Sequence, residues 1–553
     1  MKAVLIFPPF NLDLPSYIPF GISSLKSYVE LNSEHEIKCF DFNQEFFFNA
    51  LSDTKVLDIC IYCKRTKAGC AQSKQKNKFD EEMQFKKSSL YLLTLLKDPT
   101  LDYRLKCKIR HSISKFYKNF VDCWIWIISS RISSNSNKDL DRIFRYYMEK
   151  VIFEQPDIIG FSLFSYSQLA FSLYLAKLLK NSSNRTIIFG GHIISIMSQE
   201  KRSMLLNNYN FIDYLIEKEG ELALLGLLNQ KPRERVPNLI YLEKNTIKTN
   251  RLMAVNDINK LPAPDYSDFD IDKYILPSRV LLLSTSKNCP WNKCIFCSSP
   301  LSFNKGFRQK KPALVIKDVK MLINKYRTNI FFFIDPCLTV GYLERLLREV
   351  RKSGLKINYG LCLRFEKKLK DKKFMKALYE SGCRYIQLGV ETLVSRVSKI
   401  INKGIDVNNF EETLINCKRN NIYCHITAIF GLPFQYKKDI EKEIREYRRL
   451  SNKTDFTFEI NMLSVICGTT IHKSFKKYAM RIKKQRLANL NGNPLSQLLR
   501  EPRYESACIN SRSLRRLFLK ANKEINKDRT FRDVCRDDIF LADINSYRTK
   551  AAS

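Results

Sequence analysis

Apolar and polar positions follow two different periods along the first 245 residues. Short apolar runs bounded by turn residues predict β-strands, and apolar residues at three- and four-residue spacing between them predict helices. The predicted strands are Lys2–Phe7, Ile37–Phe40, Asp157–Ser162, Thr186–Gly190, Ile212–Ile216 and Asn238–Leu242. Strands that are separated by helices favour an α/β fold with a parallel, doubly wound, Rossmann-like sheet. Such a sheet binds ligands beyond the carboxyl ends of its strands.

Residues 279–470 repeat a unit of one strand and one helix six times. In the helix after the second strand, Leu343, Leu346, Leu347 and Val350 fall on one face. The predicted strands are Arg279–Thr285, Asn329–Ile334, Ile357–Leu363, Arg384–Val390, Tyr423–Phe430 and Phe456–Ile466. Six units are fewer than the eight of a complete TIM-type barrel. The pattern therefore predicts a partial, open (β/α)6 barrel with its active site at the carboxyl ends of the strands.

These patterns divide the chain into four parts. Residues 1–245 are expected to form the doubly wound domain, which a basic, helical segment at about 47–150 interrupts as an insertion. Residues 246–278 contain closely spaced prolines and are expected to be an extended linker. Residues 279–470 are expected to form the partial barrel, and residues 471–553 are basic and mostly helical in pattern.

Composition narrows the class of protein. The chain has 553 residues, 44% of them hydrophobic, and 17 cysteines. An odd number of cysteines, with neither a secretory signal nor an apolar run of membrane-spanning length, predicts a cytoplasmic protein with reduced thiols. The formal net charge of +38 suggests a nucleic acid partner. Because the positive charges are spread along the chain rather than gathered in a tail, their distribution argues against that partner.

Three cysteines carry the clearest chemical signal. Cys289, Cys294 and Cys297 follow the first predicted strand of the barrel, where an active site is expected. Three thiolates can hold three irons of a 4Fe–4S cluster and leave the fourth iron open to a substrate. Zinc is the alternative, although a structural zinc site uses four ligands and no fourth Cys or His is near in sequence. A second set, Cys60, Cys63 and Cys70, also allows a metal site but again lacks a fourth ligand.

The cysteine triad and the barrel around it resemble the radical S-adenosylmethionine (radical SAM) superfamily. The usual gaps between the cysteines there are three and two residues, whereas here they are four and two. The resemblance implies a 4Fe–4S cluster on the triad and S-adenosylmethionine on its open iron. It also implies cofactor contacts from Phe296 between the last two thiolates, Arg364 toward the methionyl carboxylate, Glu391 in Gly389-Val-Glu-Thr392 toward the ribose, Gly431 beside the adenine, and Cys467 after the sixth strand.

The first domain resembles the cobalamin-binding domain that is fused to one large subgroup of these enzymes. The resemblance rests on an ordered set of short segments: Phe7-Pro-Pro9, Asp41-x-Asn43, Gly160-Phe-Ser162, Phe189-Gly-Gly191, Glu219-Gly-Glu221 and Leu261-Pro-Ala-Pro264. It implies cobalamin contacts from Asp41, Asn43, Ser162, Gly190, Gly191 and His192, with Ser162 toward the dimethylbenzimidazole tail. There is no Asp-x-His-x-x-Gly motif, so that loop supplies no axial histidine.

Together these resemblances imply a cobalamin-dependent radical SAM enzyme. Such an enzyme reductively cleaves S-adenosylmethionine to a 5′-deoxyadenosyl radical, most often for C-methylation of an unactivated carbon in a peptide or secondary metabolite. An external electron donor such as flavodoxin or ferredoxin is implied as a partner. Three alternatives stay open: rearrangement without methyl transfer, RNA modification, and a non-catalytic binding protein that kept the fold. The catalytic residues themselves are not apparent in the sequence.

Overall fold

The computed structural model describes residues 1–10, 14–52, 91–98, 101, 103–132, 138–276, 278–304, 306–454, 456–483, 494–499 and 503–525. The possible metal site at Cys60, Cys63 and Cys70 lies outside these residues.

A seven-stranded sheet forms the first half of the molecule. Its strands are β1 (Lys2–Phe7), β2 (Glu36–Asp41), β3 (Ile158–Ser162), β4 (Thr186–Gly190), β5 (Tyr214–Ile216), β6 (Leu239–Glu243) and β7 (Thr246–Thr249). They lie in the order β2-β1-β3-β4-β5-β6-β7. The first five are parallel, which confirms the doubly wound α/β fold.

The last two strands of this sheet depart from the expected parallel arrangement. β6 is antiparallel to β5, and β7 is antiparallel to β6. The backbone N–H of Glu217 donates to the carbonyl of Asn238 at 2.9 Å, so β6 begins at the end of the sheet where β5 stops. Lys244 and Asn245 both have positive φ and make the two-residue turn into β7, as hairpin turns require.

Helices cover both faces of this sheet. Helices Phe20–Asn32 and Glu221–Leu228 pack on one face, and helix Gln168–Ser182 packs on the other. The described part of the predicted insertion is helical and extends that second face. Its helices are Phe42–Ser52, Tyr103–Arg131 and Lys138–Phe153. Aromatic side chains fill the space between them and the sheet, so this segment shares the core of the sheet domain.

The second half of the molecule is an open barrel. Its strands, in chain order, are β8 (Leu281–Leu283), β9 (Ser286–Lys287), β10 (Arg308–Gln309), β11 (Ile330–Leu338), β12 (Asn358–Arg364), β13 (Cys383–Glu391), β14 (Tyr423–Phe430) and β15 (Thr457–Met462). β9 and β10 pair with each other. The other six form one parallel sheet in the order β15-β14-β13-β12-β11-β8, which confirms the predicted partial barrel.

Helices cover the outer face of the barrel sheet. They are Pro312–Tyr326, Val340–Ser353, Lys372–Glu380, Ser395–Ile400, Phe410–Arg419 and Lys437–Ser451. Alternate strand residues such as Phe331 and Phe333 pack with these helices, while Phe332 belongs to a second cluster with Tyr385. One face of each strand packs against these helices and the other lines the barrel. Because the strands are parallel, their carboxyl ends lie at one rim of the barrel.

The C-terminal region is less helical than its pattern predicts. Helix Ser511–Ile525 packs on helix Lys437–Ser451, but β16 (Met480–Lys483) and β17 (Arg503–Ser506) form an antiparallel pair before it. The short helix Pro494–Leu498 instead packs in the core of the first sheet. In the part of the chain that the structure describes, no helix is both long enough and apolar enough to cross a membrane.

Candidate active site

A buried carboxylate holds the segment that leads into the cysteine loop, which we define as residues 286–298. The Asp335 carboxylate, on β11, accepts hydrogen bonds from the backbone N–H groups of Thr285 and Ser286 and from the Ser286 hydroxyl, at 2.5–2.9 Å. Burial raises the pKa of Asp335 to about 6, although these hydrogen bonds act to lower it. No sequence pattern pointed to this role, because Asp335 is 49 residues from Ser286 along the chain.

The three cysteines of the triad are half-buried thiols on this loop. Burial raises the pKa of Cys294 to about 11, whereas a hydrogen bond with the Cys337 thiol lowers the pKa of Cys289. Within the described ranges, no three His, Cys, Asp or Glu side chains converge on a point as a single metal ion would require. In a cluster each thiolate binds a different iron, so the triad fits that group without converging.

Trp291, within the first gap between the cysteines, attaches the loop to the turn at 402–404. Its indole N–H donates to the carbonyl of Asn402 at 2.7 Å, and its ring lies against Gly404. A Cβ at residue 404 would lie 2.1 Å from the ring, so only glycine fits there. The Arg364 guanidinium makes a cation–π contact with the same indole, and its central carbon lies 4.2 Å from the ring centroid. These contacts make Trp291 a fixed point between the cysteine loop and the turn at 402–404.

Arg364 and Glu391 end neighbouring strands beside the triad, where they were expected. Arg364 donates to the carbonyls of Lys403 and Gly404, at 2.7 and 2.8 Å. Glu391 has a φ of 65° and pairs with the Lys403 ammonium at 2.8 Å, with both side chains buried. Lys403, which the sequence did not single out, also interacts with the thiols of Cys294 and Cys297. Contact of Arg364 or Glu391 with S-adenosylmethionine stays a prediction.

A second buried carboxyl group links the ends of β13 and β14. Glu443 accepts from the Thr392 hydroxyl and from the N–H of Leu393, at 2.5 and 2.6 Å. It also accepts from the Gln435 amide, whose oxygen in turn accepts from the N–H of Gly431. Burial raises the pKa of Glu443 to about 7. The two segments predicted to contact the nucleoside are thus held together by one network.

Phe296 and Cys467 differ in how their predicted positions fit the structure. Phe296 packs in a cluster with Ile295, Ile471 and Met480, so the cysteine loop contacts the C-terminal hairpin. Cys467 does not end the sixth strand as expected. β15 stops at Met462, which pairs with Phe430, the last residue of the neighbouring β14, and one further hydrogen bond follows, from the N–H of Leu463 to the carbonyl of Phe430 at 2.9 Å. Cys467 follows in a loop.

A cavity of about 270 Å³ lies where the carboxyl ends of the first sheet meet the barrel. It is lined by Gly160, Ser162, Gly190, Gly191, Ile216, Ser284, Ser286, Ile334 and Pro336, among others. Three of the six residues predicted to contact cobalamin therefore lie together here: Ser162, Gly190 and Gly191. Gly191 has a φ of 94°, and a Cβ there would lie 2.5 Å from the carbonyl oxygen of Leu163.

Two ion pairs join the halves of the molecule at this cavity. Glu221 pairs with Lys287 at 3.3 Å, and Glu219 pairs with Arg308. Lys287 is two residues before Cys289, so the first sheet domain holds the cysteine loop directly. Both pairs are largely buried, and removing one partner would leave a buried charge without its counterion.

The other three predicted cobalamin residues do not line the cavity. Asp41 is buried and accepts from the Tyr274 hydroxyl at 2.7 Å, while Asn43 accepts from the Tyr117 hydroxyl at 3.4 Å. The helix Tyr103–Arg131 and the linker cover this strand end, which is why these side chains do not reach it. His192 Nδ1 forms a 2.6 Å hydrogen bond with the Ser302 hydroxyl, and burial lowers the pKa of His192.

Burial of Asp41 makes the stability of the protein depend on pH. Burial raises the pKa of Asp41 from 3.8 to about 7. Because the folded state holds this proton more tightly than the unfolded state, stability is lost as the pH rises from about 4 to about 7. The Asp41→Asn protein cannot lose a proton there. Relative to the wild type, its free energy of unfolding should rise by up to about 4 kcal/mol between pH 4 and pH 8.

Denaturant unfolding at several pH values measures this difference. Asp257→Asn is the matched control, because this surface carboxyl has a lowered pKa. Equal pH dependence of unfolding in the wild type and Asp41→Asn would contradict the burial of Asp41 in a desolvated site.

Residues 283–447 match the family described as the radical SAM superfamily. This region, which forms most of the barrel, is similar to the radical SAM superfamily. The predicted recognition is confirmed, and the 4Fe–4S cluster and S-adenosylmethionine follow as the cofactors of that domain. The matched region contains the triad, Arg364, Glu391 and Gly431.

Two curated relatives and one solved structure are similar to this chain. An uncharacterized methyltransferase of Pyrococcus horikoshii is 24% identical over 366 residues, which are 63% of this chain and 77% of that one. The anaerobic magnesium-protoporphyrin IX monomethyl ester cyclase of Cereibacter sphaeroides is 24% identical over 54% of this chain and 50% of its own length. The chain thus spans half of the second relative.

The solved structure is the radical S-adenosylmethionine methyltransferase TsrM of Kitasatospora setae. It superposes with a TM-score of 0.61 at 12% identity, and the match covers 99% of this chain and 95% of TsrM. At this level of identity the similarity shows the fold alone: both halves of the molecule and their order along the chain are shared.

Proposed function

We propose that this protein is a cobalamin-dependent radical SAM methyltransferase that methylates an unactivated carbon of a small molecule or peptide. The observation that carries the proposal is the cavity between the first sheet and the barrel, because it joins a strand-end ligand site to the cysteine loop. The TsrM structure was solved with cobalamin and a [4Fe-4S] cluster bound, and the Pyrococcus relative is named a methyltransferase.

The cavity suits one end of a cobalamin. Its volume of about 270 Å³ is just below the roughly 300–1,000 Å³ of pockets that enclose a whole drug-sized ligand, and its walls are mostly apolar, so it can take part of a larger cofactor. We propose that Ser162, Gly190 and Gly191 take the nucleotide tail there, as they lie at the ends of β3 and β4. His192, which is hydrogen-bonded to the Ser302 hydroxyl, would then hold the first sheet against the short helix Ser299–Ser302 that follows the cysteine loop.

The residues around the triad suit S-adenosylmethionine. When bound, the cluster and this nucleotide supply a 5′-deoxyadenosyl radical. The chain's own part is to hold the reactants. Lys403 places a positive charge beside the thiolates, Arg364 presents a guanidinium at the end of β12, and the Glu443 network fixes the backbone beyond β13 and β14. We keep the domain boundaries of the sequence analysis as part of this proposal.

A second candidate is a ring-forming or rearrangement reaction without methyl transfer. The Cereibacter relative is named a cyclase, and a further relative from Priestia megaterium is named 4′-phospho-dehydrooxetanocin synthase. These names favour the same cofactors with a different outcome for the substrate radical.

The test is methyl transfer to cobalamin itself. Reconstituted protein is supplied with reduced cobalamin and S-adenosylmethionine carrying a labelled methyl group, and methylcobalamin is separated chromatographically. Labelled methylcobalamin is expected, at a rate that depends on the protein. Binding of cobalamin without methyl transfer, together with cleavage of S-adenosylmethionine, would favour the second candidate and contradict methylation.

A further inference from the structure

Three short stretches form one continuous surface over the cysteine loop. The N–H of Ile295 donates to the carbonyl of Ile401 at 3.1 Å, and the N–H of Ile471 donates to the carbonyl of Ile295 at 3.0 Å. The loop is therefore pinned between the stretch 395–404 and the stretch 470–483. Apolar packing of Ile295 with Met480 completes the contact. We call the outer side of residues 289–298, 395–404 and 470–483 the loop surface.

The loop surface is basic and contains no acidic residue of its own. Its three stretches carry nine Lys and Arg and no Asp or Glu. The exposed cations of the described residues are Lys293, Arg396, Lys399, Lys473, Lys476, Lys477 and Arg481. Carboxylates of neighbouring segments contact these stretches: Asp439 pairs with Arg396 at 2.6 Å, Glu391 pairs with Lys403 at 2.8 Å, and Glu200 interacts with His472.

Five of the exposed lysines are not used in ion pairs within the described part of the chain. Lys293, Lys399, Lys473, Lys476 and Lys477 have no carboxylate partner among the residues that the structure describes. By contrast, the basic residues on the cavity side of the loop are paired: Lys287 with Glu221, Arg308 with Glu219 and Lys310 with Asp318. Unpaired like charges repel one another, so a surface of this kind is best explained by an acidic partner.

We propose that the loop surface docks a small acidic one-electron donor protein of the flavodoxin or ferredoxin class. The inference rests on the proposed function, since the cluster must receive an electron before S-adenosylmethionine is cleaved. One electron would leave the reduced flavin or iron–sulfur centre of the donor and enter the cluster behind the loop. The reduced cluster would pass this electron to S-adenosylmethionine, whose bond between sulfur and C5′ would break to give methionine and the 5′-deoxyadenosyl radical.

The position and character of the surface fit this partner. The three half-buried triad thiols belong to one of its stretches, which also carries Trp291 and Lys293, with the Lys293 ammonium 5.1 Å from the centroid of the Trp291 ring. Electron-transfer complexes are small and transient, and charge sets their association rate more than apolar area does. Ile482, which is 52% exposed on the same hairpin, adds an apolar contact.

Charge reversal tests the docking surface. Lys476→Glu/Lys477→Glu is compared with the wild type and with the matched control Lys317→Glu/Lys320→Glu, which reverses two exposed charges on the outer helix Pro312–Tyr326. Cleavage of S-adenosylmethionine is measured with reduced flavodoxin and, separately, with dithionite. Flavodoxin binding is measured on the same proteins. We expect about a tenfold loss of flavodoxin-driven cleavage and of flavodoxin affinity in the loop-surface variant only, with dithionite-driven cleavage unchanged.

The outcomes separate this inference from the proposed function. Unchanged flavodoxin affinity in Lys476→Glu/Lys477→Glu would overturn the docking surface. So would an RNA oligonucleotide that binds the wild type but not this variant while flavodoxin binding is unaffected. Flavodoxin binding that is lost in the variant, together with a wild type that cleaves nothing even with dithionite, would support the surface and contradict the proposed function.

Discussion

The Cys294→Ala protein should bind no intact 4Fe–4S cluster and should lose reductive cleavage of S-adenosylmethionine completely. Cys294 is the middle thiol of the triad and sits between Trp291, which fastens the loop to Asn402, and Ile295, which bonds to Ile401. With two thiolates left, only two irons of the 4Fe–4S cluster have a cysteine ligand from the triad. Iron and sulfide content, visible absorption and 5′-deoxyadenosine formation measure the loss.

Cys508→Ala is the matched control for this change. Cys508 is also a free, half-buried thiol, but it lies after β17 and outside the triad. It should keep wild-type iron content and cleavage. Full cluster content in Cys294→Ala would show that the metal is bound elsewhere, and loss in both variants would mean that the thiols act on folding instead.

The second large effect is expected from filling the cavity. Gly190 lines it, and a Cβ there would meet Ile216 at 3.7 Å, which is an ordinary contact. Gly190→Leu should therefore fold while placing its side chain where the cobalamin tail is proposed to lie. Cobalamin affinity should fall about 100-fold, the equivalent of about 3 kcal/mol. The cluster should be unaffected, because Gly190 is not part of the cysteine loop.

Gly341→Leu is the control for the size of the substitution, since nothing lies within 4 Å of a Cβ at that position. Equilibrium binding of hydroxocobalamin, followed by its absorption, is the measurement. Wild-type cobalamin affinity in Gly190→Leu would place the cofactor outside this cavity. It would leave the radical SAM assignment intact and remove the argument for cobalamin-dependent methylation.

Periodicity in the sequence was sufficient to predict the sheet and the barrel. Lys2–Phe7, Thr186–Gly190 and Tyr423–Phe430 form strands with the predicted bounds, because buried parallel strands are continuous apolar runs. Strand direction was not predictable in the same way. The antiparallel direction of β6 depends on the end of the sheet to which the chain returns after helix Glu221–Leu228. An apolar run predicts a strand but not its direction.

Residues that act on the site through long-range contacts were the ones that the sequence could not reveal. Asp335, Lys403 and Glu443 each reach a loop that is 12 to 51 residues away along the chain. Conversely, Asp41 stands at a strand end as expected but is covered by the insertion, since strand position does not show what packs over it. Only the local signal, three closely spaced cysteines after a strand, located the site directly.

Anaerobic reconstitution with iron, sulfide and hydroxocobalamin tests the central claim most directly. Metal analysis together with EPR and Mössbauer spectra should show about four irons per chain in a 4Fe–4S cluster, one of which changes its signal when S-adenosylmethionine is added. A colourless protein that holds one tetrahedral zinc ion on Cys289, Cys294 and Cys297 would contradict the account.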